Sequence, residues 1–228
     1  KWSEHVAWQC DEDAYNASGQ KCSAQSILFM HKNWEQDLVP RLIDLASKRK
    51  LKDLDIGPVL TWTNPQMREH IDSLLKIAGS KLLLGGKELT NHSIPSMYGS
   101  LEPTAIQIPL AAFLTDDFKK ITKEVFGPFQ IVVVYTDKEI GLVKDVLEKI
   151  TQNLTAAIVS NDAFFQQDLL ANTVNGTTYT GMKARTTGAP QNHWFGPSGD
   201  PRSAGIGTPE AIINTWSSHR EIIKDVGP

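Results

Sequence analysis

Cysteine is scarce: Cys10 and Cys22 are the only two in 228 residues. That excludes the cysteine-dense framework of a small secreted domain and favours a reducing compartment, with a bridge between the two left open. Six histidines are scattered without metal-ligand spacing, so no metal centre is expected. His193, beside Trp194, reads as a packing or loop-anchoring residue. No apolar run approaches the roughly 20 residues that cross a bilayer, and no membrane association is expected. Basic charge is also short: 23 Lys and Arg stand against 26 Asp and Glu, for a net charge of -3 with no basic block. Nucleic acid is therefore excluded as a partner. The sequence starts at Lys1 without an initiator Met or a targeting segment and reads as a piece of a longer chain.

The chain does have enough apolar residues, 40%, to bury a large core. Apolar runs alternate with helical patterns. Val6, Cys10, Ala14 and Ala17 fall at helical spacing, which gives Cys10 a place on a packed helix face. Strands are predicted at Ile27 to Met30, Lys81 to Leu84, Thr104 to Ile108, Ile131 to Tyr135 and Ala156 to Val159. The run at 131–135 is so continuously apolar that both its faces should be covered.

Helices are predicted from Trp34 to Lys50, from Asn64-Pro65 to a stop at Gly79, around Ile140 to Ile150, and after an Asp162 cap. This alternation predicts an α/β domain built on a mostly parallel sheet flanked by helices. Beyond Gly176 the segment Thr177 to Gly181 and the Gly/Pro-rich stretch from Gly188 to Pro209 read as loop, and loops of that length are commonly functional. The tail from Trp216 to Val226 has a weak alternation suited to adding a strand to a neighbour. Gly205-Ile206-Gly207 lacks the preceding strand and third glycine of a dinucleotide loop and reads as loop closure.

Two short motifs carry chemistry. In Gly19-Gln20-Lys21-Cys22-Ser23-Ala24, the cysteine sits at a junction between a helix end and a strand, where a backbone N–H can face a reacting oxygen. A sulfur there is open to two readings, a nucleophilic thiolate or a buried structural thiol. The second motif, Glu124-Val125-Phe126-Gly127-Pro128-Phe129, is either a functional segment or a plain turn into a core strand.

Taken together and in this order, the two motifs resemble the aldehyde dehydrogenase superfamily. The likeness extends through Ile56-Gly57-Pro58-Val59, Lys81-Leu82-Leu83-Leu84-Gly85-Gly86 and Phe195-Gly196. Asn175-Gly176-Thr177-Thr178-Tyr179 and the run from Thr186 to Arg202 are most similar to the plant and protist branch of 1-pyrroline-5-carboxylate dehydrogenases.

The resemblance implies an α/β catalytic domain of that family over residues 1–190, without the upstream NAD-binding domain. Residues 191–228 would then form a substrate loop and a C-terminal oligomerisation tail. It implies NAD-dependent oxidation of an aldehyde, glutamate semialdehyde in proline breakdown, with Cys22 as nucleophile, and NAD as cofactor bound by Glu124 and Phe126. Ser23, Phe195, Ser198 and Gly199 would contact the substrate, with Ser23 also readable as a small residue tolerated beside a crowded nucleophile. Pro197 departs from the second glycine usual among relatives, which leaves the register around Ser198 open. The implied partners are a small aldehyde and further copies of the chain in a dimer-based assembly, and the implied compartment is mitochondrial. By the same resemblance the general base and the side-chain amide at the oxyanion lie upstream of Lys1. Two alternatives stay open: a fragment that folds and self-associates without turnover, and a CoA-acylating relative.

Overall fold

The computed structural model describes residues 2–151, 153–187, 209–210, 213, 217 and 220–224. The predicted substrate residues Phe195, Ser198 and Gly199, His193, and most of the tail lie outside them.

Strand β4 (Phe129–Tyr135) is the spine of the fold. It lies parallel to β1 (Ile27–His31) on one side and parallel to β3 (Thr104–Gln107) on the other. Strand β2 (Lys81–Leu84) closes the far edge antiparallel to β3, giving the order β1-β4-β3-β2. Because side chains alternate along a strand, β4 serves two cores at once. Ile131, Val133 and Tyr135 enter one, with Met67, Ile71 and Leu74 of α3 (Asn64–Leu75) and Val143 and Val146 of α5 (Ile140–Lys149). Val132 enters the other, with Val6, Ala7 and Cys10 of α1 (Trp2–Tyr15) and Leu38 and Leu42 of α2 (Lys32–Lys48). The expectation that both faces of this strand are covered holds, and so does the mostly parallel sheet.

Helix α2 starts two residues before the predicted Trp34, since His31 Nδ1 accepts from Asn33 N–H at 3.3 Å and caps it. Helix α3 ends at Leu75, before the predicted stop; Gly79 lies in the turn beyond, at φ +79°. A one-turn helix, α4 (Phe118–Ile121), precedes the second motif. Asp162 caps α6 (Ala163–Ala171) as predicted, its Oδ1 accepting from the N–H groups of Phe164 and Phe165.

Two expectations are corrected. The predicted buried strand at 156–159 is β5 (Thr155–Ile158), of which only Ile158 is buried, because it pairs outside the four-stranded sheet. Its partner is β6 (Thr177–Thr180), parallel to it, in the segment read as loop. Helix α6 connects the two, so β5-α6-β6 is a βαβ unit. A cavity of about 570 Å³ separates the free edge of β1 from this unit, lined by residues that include Leu28, Met30, Ala156 and Ile158. Among the described residues no helix is long and apolar enough to cross a membrane.

Candidate active site

Helix α1 ends at Tyr15, and the chain then turns through three successive left-handed residues, Ala17 (φ +55°), Ser18 (φ +56°) and Gly19 (φ +66°). Such a run is costly for residues with a Cβ and persists only where the surroundings fix it. Ser18 Oγ accepts from Gly57 N–H at 2.7 Å and lies 3.3 Å from the Gly57 carbonyl oxygen as donor. Gln20 then straps the next residues, donating from Nε2 to the Pro58 carbonyl at 2.9 Å and accepting on Oε1 from Leu60 N–H at 2.9 Å. The segment Ile56 to Val59 is thus the bed on which the cysteine turn rests.

Cys22 stands at the first corner of a tight turn closed by Ala24 N–H donating to the Lys21 carbonyl at 3.0 Å, with Ser23 at the second corner. Cys22 is exposed and Ser23 half-buried. Among the described residues, no acceptor takes the main-chain N–H of either. The turn therefore carries an exposed thiol and two main-chain donors without an acceptor among the described residues. At its exit, Gln25 N–H donates to the Asp13 carbonyl at 2.9 Å. The Gln25 side chain donates to Gln130 Oε1 at 2.8 Å, Gln130 Nε2 to Tyr15 Oη at 2.9 Å, and Tyr15 Oη to the Thr104 carbonyl at 3.2 Å. This buried relay ties the turn to the starts of β3 and β4.

The second motif arrives at the same place. Gly127 lies so near Gly19 that a Cβ on Gly19 would sit 2.1 Å from the Gly127 carbonyl oxygen. On its other side Gly127 faces Val59, whose methyl groups would lie 3.3 and 3.5 Å from an added Cβ. The backbones of Gly19 and Gly127 meet here, and a side chain on Gly19 would not allow it. Glu124 is exposed and makes no hydrogen bond or ion pair among the described residues. Phe126 is half-buried, and Lys123 holds its ammonium 4.9 Å from the centre of the Trp62 ring. Cys22, Glu124 and Phe126 all lie outside the lining of the 570 Å³ cavity.

Cys10 behaves as expected for a packed helix face. It is buried in the α1 core, and burial, with Asp13 nearby, pushes its thiol up to about 12. Both cysteines are free, so the disulfide left open by the sequence is absent. No cluster of three or more His, Cys, Asp and Glu side chains suited to a metal occurs among the described residues.

Sequence reasoning missed the polar residues that hold the turn: Ser18, Gln20, Asp13 and their partners. The available signal was the acidic run Asp11-Glu12-Asp13 in a helix that otherwise buries Val6, Ala7, Cys10 and Ala14. Acids on a packed helix require cations. Arg49 answers Asp11 at 2.6 Å and Glu12 at 2.6 Å, and Arg185 answers Asp13 at 2.7 Å.

A model of the aldehyde dehydrogenase family matches residues 4–199. The chain belongs to this family. It is 61% identical to delta-1-pyrroline-5-carboxylate dehydrogenase 12A1, mitochondrial, of Arabidopsis thaliana, over 99% of the chain and 41% of that protein. It is 59% identical to the "probable aldehyde dehydrogenase" of Linum usitatissimum, again over 99% of the chain and 41% of the relative. The chain thus spans about two fifths of the length of these curated family members. In fold it is similar to a Bradyrhizobium japonicum proline utilization A variant, at TM-score 0.74 and 21% identity, over 93% of the chain and 21% of that one. It is likewise similar to Physcomitrella patens aldehyde dehydrogenase 21 in complex with the reaction product succinate. That match has TM-score 0.72 and 17% identity, over 92% of the chain and 41% of that one.

Proposed function

We propose that this chain carries the nucleophile of an NAD-dependent aldehyde dehydrogenase that oxidises glutamate semialdehyde to glutamate. The observation that carries this reading is the Gly19–Gly127 contact, which joins the two motif segments, with Cys22 exposed on one and Glu124, exposed and without a partner among the described residues, on the other.

The Cys22 thiolate adds to the aldehyde carbon, and the carbonyl oxygen takes the negative charge of the resulting thiohemiacetal. The unused N–H groups of the Cys22 turn are donors for that oxyanion. A preorganised donor of this kind is worth about 3–4 kcal/mol in comparable sites. The residues present suit the dinucleotide: Glu124 has an exposed carboxylate, without a partner among the described residues, able to accept from ribose hydroxyls, and the half-exposed Phe126 offers a ring face. When bound, NAD supplies the hydride acceptor. Glu124 and Phe126 would hold it, and positioning of that sort contributes on the order of 7–11 kcal/mol. With its hydride passed to the bound dinucleotide, the thiohemiacetal would become a thioester on Cys22, which water would cleave to the carboxylate and the free thiol.

The substrate assignment is supported by the name of the 61% identical Arabidopsis relative. Ser23 next to the nucleophile, and Phe195, Ser198 and Gly199, are proposed as substrate contacts. Residues 1–190 are proposed as catalytic domain and 191–228 as substrate loop and oligomerisation tail of a dimer-based assembly in mitochondria.

The test is a chimaera in which this chain replaces the matching 41% of the Arabidopsis relative. It should form NADH from glutamate semialdehyde and prefer that substrate to a simple aliphatic aldehyde. Cys22→Ala should abolish turnover without lowering thermal stability. A chimaera that folds and binds NAD but does not turn over, or a Cys22→Ala variant that does, rejects the reading.

A further inference from the structure

We propose that Asp13 is a positioning residue: it fixes the Cys22 turn against the segment Ala184 to Thr187, and through that spacing sets how the aldehyde is received. This rests on the reading of Cys22 as nucleophile.

Asp13 is buried, 4% exposed, and both of its carboxylate oxygens are spent on one short segment. Oδ1 accepts from Arg185 Nε at 2.9 Å, from Arg185 Nη2 at 2.7 Å and from Thr187 Oγ1 at 2.6 Å. Oδ2 accepts from Thr186 N–H at 2.8 Å and from Thr186 Oγ1 at 3.4 Å. The main-chain carbonyl of the same residue takes the Gln25 N–H that closes the exit of the Cys22 turn. One residue therefore grips the nucleophile's turn with its backbone and a distant segment with its side chain.

Helix α1 reinforces the grip on that segment. Gln9 Nε2 donates to the Ala184 carbonyl at 3.1 Å, and the Arg185 guanidinium lies 4.8 Å from the centre of the Trp8 ring. A carboxylate that only neutralised a half-buried arginine would need no main-chain N–H and no second hydroxyl. The five donors from three successive residues fix position and orientation, as bidentate and charge-assisted bonds do. Small misplacements of a reacting group cost large factors in rate, which gives such a clamp a role in catalysis without contact to the substrate.

The mild variant is Thr187→Val, which removes one bond to Asp13 and leaves the Gln25 contact intact. In the 228-residue chain, amide exchange at Gln25 should quicken at least fivefold in Thr187→Val and in Asp13→Asn. In the chimaera, each should lower kcat for glutamate semialdehyde at least fivefold with KM within about twofold, and the double variant should be no worse than Asp13→Asn alone. Unchanged Gln25 exchange, or additive effects on kcat, overturns the proposal. If the unsubstituted chimaera lacks activity, the functional reading fails by itself, and the exchange measurement on the chain still decides whether Asp13 couples the two segments.

Discussion

Gly19 and Gly127 meet backbone to backbone: a Cβ on Gly19 would stand 2.1 Å from the Gly127 carbonyl oxygen and 2.9 Å from that of Ala14. Gly19 is also at φ +66°, where any other L-residue is strained. A methyl group here meets main chain on two sides, so no rotamer change relieves it. Gly19→Ala should cost about 2–4 kcal/mol, the left-handed penalty plus overpacking. Urea unfolding checks it, with Gly141→Ala as control, because nothing lies within 4 Å of an added Cβ there. Equal midpoints for the two variants would show that the motifs do not touch.

The two thiols should differ sharply in reactivity. Cys22 is exposed, whereas Cys10 is buried and its thiol is pushed up to about 12, so almost no thiolate forms there near neutral pH. Iodoacetamide followed by peptide mapping should mark Cys22 in the native chain and Cys10 only after denaturant is added. Labelling of Cys10 first would contradict the packing of α1.

Arg49 neutralises two acids of α1, and its guanidinium and Asp11 are nearly sealed from water, at 10% and 5% side-chain exposure. Removing one partner of such a pair strands the other charge. Arg49→Met should therefore lower unfolding free energy by about 3–5 kcal/mol, and the joint replacement of Arg49 and Asp11 by apolar residues should cost less. Denaturant titration of both variants supplies the comparison.

His70 gives the fold a pH dependence of known sign. It is buried between Trp62 and Phe129, with ring centres 5.9 and 5.7 Å away. Burial, and then Lys123 and Lys120, hold its pKa down to about 4. In the unfolded chain it protonates near 6.5, so below that value the unfolded state binds a proton that the folded state refuses. Stability should fall as pH drops from about 6.5 to about 4, by at most about 3 kcal/mol from this residue, and then level off. His70→Phe should flatten the curve in that window; an unchanged curve would locate the acid sensitivity elsewhere.

Much of the fold was legible because β-branched runs and helical spacing report burial directly. The strand at 131–135 announced two covered faces, and Asp162 announced a helix start. Thr177 to Thr180 was misread since glycines flank it and it lacks large aliphatics, though threonine and tyrosine are themselves strand formers. The shallow burial of β5 could not be read, because burial depends on which strand pairs with it. At the site, the cysteine and glutamate motifs were visible as local patterns. Their meeting through Gly19 and Gly127 was not, nor were the links from Ser18 to Gly57 and from Asp13 to Arg185, which join residues far apart in the chain.

The central claim is that the Cys22 sulfur forms the bond to the substrate carbon. Mass spectrometry of the chimaera, acid-quenched during turnover of glutamate semialdehyde and digested, tests it most directly. An acyl adduct is expected on the peptide carrying Cys22, and it should disappear as substrate is exhausted. An adduct on any other residue, with Cys22 unmodified while NADH accumulates, would contradict it.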